Sequence, residues 1–399
     1  MSLAFSPTRP AARVRLAEFL GTAAPRYGAE RNFVRPGHPD VSRLSPWVQK
    51  RLLTEQEIVA ATLERHAFPS VEKFLQEVWW RTYWKGWLEQ RPAAWTRWRE
   101  TTPRLLAELP PAARATYDAA IAGRTGLAGF DDWARELTAT GYLHNHARMW
   151  FASIWIFTLR LPWELGADFF WRHLLDGDAA SNTLSWRWVA GLQTAGKTYV
   201  ATAANIARYT EGRVLLPETA LAREAALCTE APPARVALWT PPTLPADPAI
   251  GLWLHPEDLV LEQGELAALQ PRSLYARWPR DVAASAGWND TVIAFTSAAL
   301  ADGAARAHAH FNAPVATGEA TALATDLAAW AEREGVRHVV AFRPFVGPWL
   351  EAVPTLERTL AARGVTLNFV RRAWDAQWFP QATRGYFPFW ETVRATLGR

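Results

Sequence analysis

Between residues 14 and 223 apolar positions recur three and four apart, most regularly over 54–65, 71–90, 128–141 and 145–160. That period predicts helices that each bury one face. Strand-like alternation is scarce in this stretch, and clusters of proline and glycine at 36–39, 103–111 and 123–126 read as loops. The pattern changes after Ala231-Pro232-Pro233 and Thr240-Pro241-Pro242-Thr243-Leu244-Pro245, a composition suited to a linker. Beyond it, short apolar runs at 250–254, 292–295, 339–342 and 366–370 are separated by alanine-rich helical stretches. Strand alternating with helix predicts a parallel, doubly wound α/β unit. The expected organisation is a mainly α domain over 1–225, a Pro-rich linker over 226–246 and an α/β domain over 247–399. No internal repeat is seen. The G-x-G-x-x-G fingerprint of dinucleotide-binding α/β units is missing.

Composition narrows the classes. A chain of 399 residues with 49% hydrophobic content can bury a large core and has room for two domains. The longest apolar run, 149–159, is flanked by Arg148 and Arg160 and falls short of the roughly 20 residues a membrane span needs, so no membrane partner is expected. The first residues have no apolar h-region, so no cleaved leader is expected, and the cytoplasm is the natural compartment. A single cysteine, Cys228, excludes an internal disulfide, a cysteine zinc site and a four-cysteine iron–sulfur cluster. The net charge of +4 is uneven, because residues 1–225 hold 28 Lys/Arg against 22 Asp/Glu and the remainder 15 against 17. A basic first half suits a nucleic-acid surface, and scattered solvated charge would look the same. Of 23 tryptophans, 14 lie between Trp47 and Trp188. Most must be core packing, which buries large indole areas.

Three constellations could carry chemistry. Glu77, Trp80, Arg81 and Trp84 fall at i, i+3, i+4 and i+7, one helix face holding a carboxylate, a guanidinium and two indoles. Such a face could line a cavity for a planar, polar ligand; an amphipathic helix with an internal ion pair fits the spacing too. In the run Tyr142-Leu-His144-Asn145-His146-Ala-Arg148-Met149, Asn145, Arg148 and Met149 share a face. His144 and His146, two apart, make a poor metal pair, and no metal is expected. Asp176-Gly177-Asp178 with Asn182, Trp186 and Trp188 begins like a calcium loop, but Ala180, Ser181 and Arg187 stand where oxygen ligands and a glycine are needed. An aspartate capping a helix N-terminus is the plain alternative.

Taken in order, Ser42-Arg43-Leu44-Ser45-Pro46-Trp47, Glu77-x-x-Trp80-Arg81, Thr140-Gly141-Tyr142-x-His144-Asn145-x-x-Arg148-Met149 and Asp176-Gly-Asp178-x-x-x-Asn182-x-x-x-Trp186-x-Trp188 resemble the FAD-binding domain of the DNA photolyase/cryptochrome family. Tyr27-x-x-x-Arg31-Asn32 is similar to its DASH cryptochrome branch. The likeness spans roughly residues 25–210.

The resemblance implies a mainly α FAD-binding domain. Tyr27, Val41, Ser42, Arg43, Leu44 and Ser45 would hold the phosphates and ribityl, with Val41 lacking the hydroxyl of a common threonine. Phe74 would form part of the cofactor wall in place of a tryptophan. Asp176, Gly177 and Asp178 would meet the flavin edge, with Arg148 paired to Asp176 and Asn182 beside the flavin. Glu77, Trp80, Arg81, Trp84, Asn145, His146, Met149 and Trp188 would face damaged DNA, with Glu77, Asn145 and Asn182 in catalytic roles. His146 stands where an arginine is common. Trp186 and Trp163 match the inner members of an electron-transfer chain whose third position falls near Pro110; Trp98, Trp133, Trp150 and Trp155 are candidate substitutes.

The later segment is expected to be an antenna-like α/β domain moved to the C-terminal side by circular permutation. The runs His338-Val-Val-Ala-Phe-Arg-Pro-Phe, Leu360-Ala-Ala-Arg-Gly-Val-Thr-Leu and Gly385-Tyr-Phe-Pro-Phe-Trp390 are similar to its later strands and closing segment. Its antenna chromophore is not named by any motif. The expected activity is light-driven repair of cyclobutane pyrimidine dimers in UV-damaged DNA by a monomer using FAD. The competing expectation is a blue-light sensor that binds flavin and repairs nothing.

Overall fold

The computed structural model describes residues 5–194, 196–226, 228–244 and 249–397. Leu227, Pro245 and Ala246 of the expected linker lie outside the described residues.

The periodic stretches form the helices they predict: Glu55–Arg65, Phe68–Glu89, Phe130–Thr140 and Asn145–Ser153, the last running on through a wide turn at Ile154–Thr158. Local chemistry sets their ends. Thr54 and Glu57 close a reciprocal capping box before Glu55–Arg65, Pro69 sits in the first turn of Phe68–Glu89, and Gly141 ends Phe130–Thr140 at φ 69°. The expected loop over 103–111 is mostly helix. Ala93–Ala107 carries Pro103 inside it and Pro111–Ile121 starts four residues later. Burial of Trp95, Trp98 and Thr102 on one face outweighs the ladder bond that Pro103 cannot make.

The second part is the expected parallel α/β unit. Strands β1 (Ile250–Trp253), β2 (Ser273–Tyr275), β3 (Trp278–Pro279), β4 (Val315–Ala316), β5 (Glu319–Ala320), β6 (His338–Phe342) and β7 (Thr366–Val370) alternate with helices such as Asp290–Phe311, Leu323–Arg333 and Pro348–Ala361. Five of them pair in parallel in the order β4-β2-β1-β6-β7, and β3 pairs with β5 alone. The run 292–295, expected as a strand, is the first turn of helix Asp290–Phe311, where Asn289 caps by accepting the Val292 N–H at 2.9 Å. β2 and β4, too short to show a period, take its place in the sheet.

The halves share one core. Gly86 lets helix Phe68–Glu89 approach the chain at 379–382, where a Cβ would come within 2.8 Å of the Phe379 Cα. Trp79 stacks on Trp374 at 4.3 Å, and the Gln90 amide donates to the carbonyls of Phe379 and Ala382. At the carboxyl ends of β1 and β6, where the strand order reverses, Arg51 enters from the helical half and pairs with Asp258 at 3.1 Å and Asp375 at 2.6 Å. Among the described residues no helix is long and apolar enough to cross a membrane.

Candidate functional site

The helical half encloses a cavity of about 1010 Å³, at the top of the roughly 300–1,000 Å³ range of small-molecule sites. Its walls come from the turn before Ser45–Gln49, the middle of Phe68–Glu89, the start of Asn145–Ser153 and the helix Ala179–Val189. Nineteen of the residues expected at the site line it: Tyr27, Val41, Ser42, Arg43, Leu44, Ser45, Phe74, Glu77, Trp80, Arg81, Trp84, Asn145, Arg148, Met149, Asp176, Asp178, Asn182, Trp186 and Trp188. Segments separated by up to 161 positions therefore converge on one space.

The electrostatics of the wall differ from point to point. At one place the Arg148 Nη2 donates to Asp176 Oδ2 at 2.8 Å, which leaves the buried Asp176 Oδ1 without a partner. The adjacent Asp178 is an N-cap, as the plain reading of the motif allowed: its Oδ1 accepts the N–H groups of Ala180 and Ser181, both at 3.0 Å. Burial alone would raise its carboxyl, but Lys85 at 2.7 Å and Arg81 at 3.7 Å hold it well below the usual range. Asn182 is fixed by donation from its amide nitrogen to the Ala167 carbonyl at 2.9 Å.

On the Val41–Ser45 side, Arg43 takes a left-handed backbone at φ 55° and its buried Nε has no partner. Burial and the neighbouring Arg15 push this guanidinium below its ordinary value, the signature of a cation lacking a counter-ion. A buried, unsatisfied donor and a buried, unsatisfied acceptor in one cavity call for a ligand that is anionic in one part and donates in another. A flavin dinucleotide has both, in its diphosphate and its ring N–H.

At the mouth, Glu77 forms an ion pair with Arg31, which also lines the cavity. Trp80 packs against Trp84 at 5.0 Å and lies parallel to Tyr386 at 3.6 Å, with 10° between the rings. Asn145 is exposed at the start of its helix, with its amide 3.9 Å from the Met149 sulfur.

Several expected residues sit elsewhere. His146 does not line the cavity: its Nδ1 bonds the Asn32 carbonyl at 2.8 Å and its ring packs on Trp150 and Tyr209. Arg81 reaches the wall, yet its guanidinium pairs with Glu55 and with Asp178, which keeps it inside the protein. Gly177 serves backbone packing, since a Cβ there would lie 3.0 Å from the Leu174 carbonyl oxygen. Trp163 is buried with Arg187 over its ring at 5.9 Å. The rings touching Trp186, among the described residues, are Phe151, Trp155 and Phe170. Of the four candidate third members only Trp155 is therefore in ring contact with Trp186, at 6.3 Å, and Tyr117 follows at 5.9 Å.

Arg31, Gln49, Lys197 and the segment 384–388 line the cavity without having been singled out as site residues. Arg31 was visible as part of the Tyr27-x-x-x-Arg31 spacing. The Gly385–Trp390 motif is legible as well, as the closing segment of the α/β domain. It packs against helix Phe68–Glu89, with the Tyr386 hydroxyl donating to the Gln76 carbonyl at 2.5 Å.

Residues 74–213 match the family model described as the FAD binding domain of DNA photolyase. Among curated relatives, a deoxyribodipyrimidine photo-lyase of Thermus thermophilus is 36% identical over 186 residues, 47% of this chain and 43% of the relative. One of Streptomyces griseus is 35% identical over 167 residues, 40% and 35% of the two chains. Cryptochrome-1 of Arabidopsis thaliana is 44% identical over 69 residues, 17% of this chain and 10% of the relative. The chain thus spans less than half the length of the curated relatives it matches. Among solved structures, a Synechocystis cryptochrome aligns at 25% identity with a TM-score of 0.46, covering 52% of this chain and 44% of that one. A class III photolyase from Agrobacterium tumefaciens aligns at 26% identity and 0.44, covering 51% and 43%.

Proposed function

We propose that this protein, whose residues 74–213 match the FAD binding domain of DNA photolyase, uses light and reduced FAD to split cyclobutane pyrimidine dimers in DNA. The observation that carries the reading is the shared cavity: Glu77, Trp80, Asn145, Met149 and Trp188 line its mouth region together with the Asp176, Asp178 and Asn182 wall. A sensor needs the flavin cavity but has no use for that combined set at its entrance.

Arg43 would hold the diphosphate, and Asp176 Oδ1 would accept from the ring edge. Bound and reduced, FAD supplies an electron when it absorbs light. The chain's own residues do the rest. Two indoles, Trp80 backed by Tyr386 and Trp188 backed by Tyr199, would turn their remaining apolar surface to extruded pyrimidines, whose lesion is cheaper to unstack than an intact pair. Glu77, oriented by Arg31, is a polar group set in place before the reaction, which is how a site stabilises charge without reorganising, and Asn145 adds a second polar group beside it. Trp84, behind Trp80, excludes water from the same wall.

The segment 247–399 is, in this reading, the antenna-like domain in permuted order, joined through the Pro-rich stretch 226–246. A protein of this kind acts as a monomer in the cytoplasm, and its antenna pigment is left unassigned.

The test is illumination of the reduced, FAD-loaded protein with an oligonucleotide that carries one thymine dimer. Dimers should disappear with light dose and persist in the dark, and Glu77→Ala should slow their loss while FAD stays bound. A light dose that bleaches the flavin but leaves every dimer intact would replace this reading with blue-light sensing.

A further inference from the structure

The mouth of the cavity is completed from the other end of the chain. Tyr386 lies flat against Trp80, and the next residue, Phe387, lines the same cavity with 70% of its surface exposed. An exposed phenylalanine forgoes about 1.5–3 kcal/mol of burial, so its position here calls for an occupant.

The backbone that presents it is held firmly. The Tyr83 hydroxyl donates to the Arg384 carbonyl at 2.6 Å, Arg91 donates to the Thr383 carbonyl at 3.0 Å, and Tyr386 is tied to Gln76. Pro388 then fixes the first turn of the helix Tyr386–Leu397. The ring is thus displayed on a stiff mount beside the entrance. Exposed Arg384 and Lys197 stand on the same rim, neither with a carboxylate partner among the described residues. An apolar wedge flanked by free cations is complementary to a nucleic acid, whose phosphates take the cations while the ring enters between bases.

We propose that Phe387 is a wedge for duplex DNA: it enters the gap that two extruded pyrimidines leave and stacks on the bases that remain. This rests on the repair reading above and names the substrate form, a damaged duplex with its lesion turned out. Extrusion leaves a hole in the stack, and a planar ring filling it restores part of the lost stacking. A single strand has no opposite bases and no such hole, which separates a wedge from a general aromatic contact.

The experiment measures dark binding of the FAD-loaded protein to thymine-dimer DNA, as duplex and as single strand, with undamaged duplex as reference. Phe387→Ala should weaken binding to the dimer duplex roughly tenfold, leave binding to the dimer single strand within about twofold, and Phe387→Trp should restore the duplex. A 2-aminopurine opposite the lesion should brighten in Phe387→Ala relative to wild type as its stacking partner is lost. Equal weakening of both DNA forms, or unchanged duplex binding, overturns the wedge and leaves the repair reading standing. A wild-type protein that does not prefer dimer DNA over undamaged DNA defeats the repair reading and the wedge with it.

Discussion

In the helical half, the ends of several helices leave a cavity of about 1010 Å³ whose wall keeps Asp176 Oδ1 and Arg43 Nε unpaired. In the sheet half, the carboxyl ends of β6 and β7 open on a crevice of about 10 Å³ that Arg51, Arg372 and Asp375 already line. Doubly wound sheets place ligands at the reversal of strand order. Here that place goes to a buried ion network: Arg372 chelates Asp258 through two 2.6 Å bonds, and Arg51 joins Asp258 to Asp375. The helical half keeps polar groups unsatisfied where something must bind. At the strand reversal of the sheet half, every carboxylate oxygen of Asp258 and Asp375 is paired, and those pairs dock the two halves. The sheet half still reaches the site, through residues 384–388.

Breaking the docking network should have the largest effect. Arg51 is buried and pairs with Glu55, Asp258 and Asp375, so Arg51→Ala leaves Asp375 buried without its cation, while Glu55 and Asp258 keep Arg81 and Arg372. Removing one member of such a network costs about 3–5 kcal/mol, a large share of the roughly 5–15 kcal/mol that holds a protein folded. Guanidinium unfolding followed by tryptophan fluorescence should show the midpoint fall accordingly. A loss under about 1 kcal/mol would mean that the crevice is not the hinge-pin of the two halves.

A smaller effect belongs to the seam between the filled and the hollow half. Glu257, on the loop after β1, accepts the Phe345 N–H at 2.8 Å and is buried close to Lys85, Lys50 and Asp178. Burial pushes its carboxyl up to about 7 from the ordinary 4.5, against the pull of Lys85 and Lys50. The folded state therefore binds this proton more tightly than the unfolded chain. Its stabilising contribution is complete below pH 4.5 and is lost as pH rises through 7. Burial also pushes Lys50 down to about 8, which acts in the opposite sense only above that pH. Glu257→Gln should gain on wild type by up to about 3 kcal/mol between pH 5 and 7.5, read by urea unfolding across that range. A constant difference between the two proteins would show that Glu257 is ionised throughout.

How much of this the sequence disclosed follows the same division. Long helices in the first half declare themselves by period, and the residues of the Glu77-x-x-Trp80-Arg81 and Asp176-x-Asp178-x-x-x-Asn182 spacings all line the cavity. Three of the strands were equally legible as apolar runs. The run 292–295 was not, because four apolar residues suit a buried helix turn as well as a strand, and Asn289 and the alanines after it decide for helix. Pro103 misled in the other direction, since tertiary burial of Trp95 and Trp98 overrides one missing hydrogen bond. At the site, motif spacing could not show that Arg31 neutralises Glu77, that His146 turns toward Asn32, or that Tyr386 meets Trp80 from 306 positions away. These are consequences of how helices pack, and no local period encodes them.

The smallest effect tests the unpaired acceptor that sets the hollow half apart. If Asp176 Oδ1 accepts a hydrogen bond from FAD, Asp176→Ala removes that acceptor, frees the Arg148 guanidinium and leaves Asp178 with its own cap and its lysine. One hydrogen bond to a charged group contributes about 1.5–3 kcal/mol. Repacking of the cavity wall and entry of water recover part of it, so the dissociation constant of FAD should rise roughly tenfold, equivalent to about 1.4 kcal/mol. Because Arg148 keeps its bond to the Leu143 carbonyl, the helix Asn145–Ser153 should stay in place and the apoprotein should unfold as wild type does. Flavin fluorescence on titration of the apoprotein reads the first quantity and urea unfolding the second. Weaker flavin binding with an intact apoprotein assigns the orphan oxygen to the ligand. Unchanged flavin binding means that the oxygen faces water, and that the helical half is hollow at that point for a reason other than FAD.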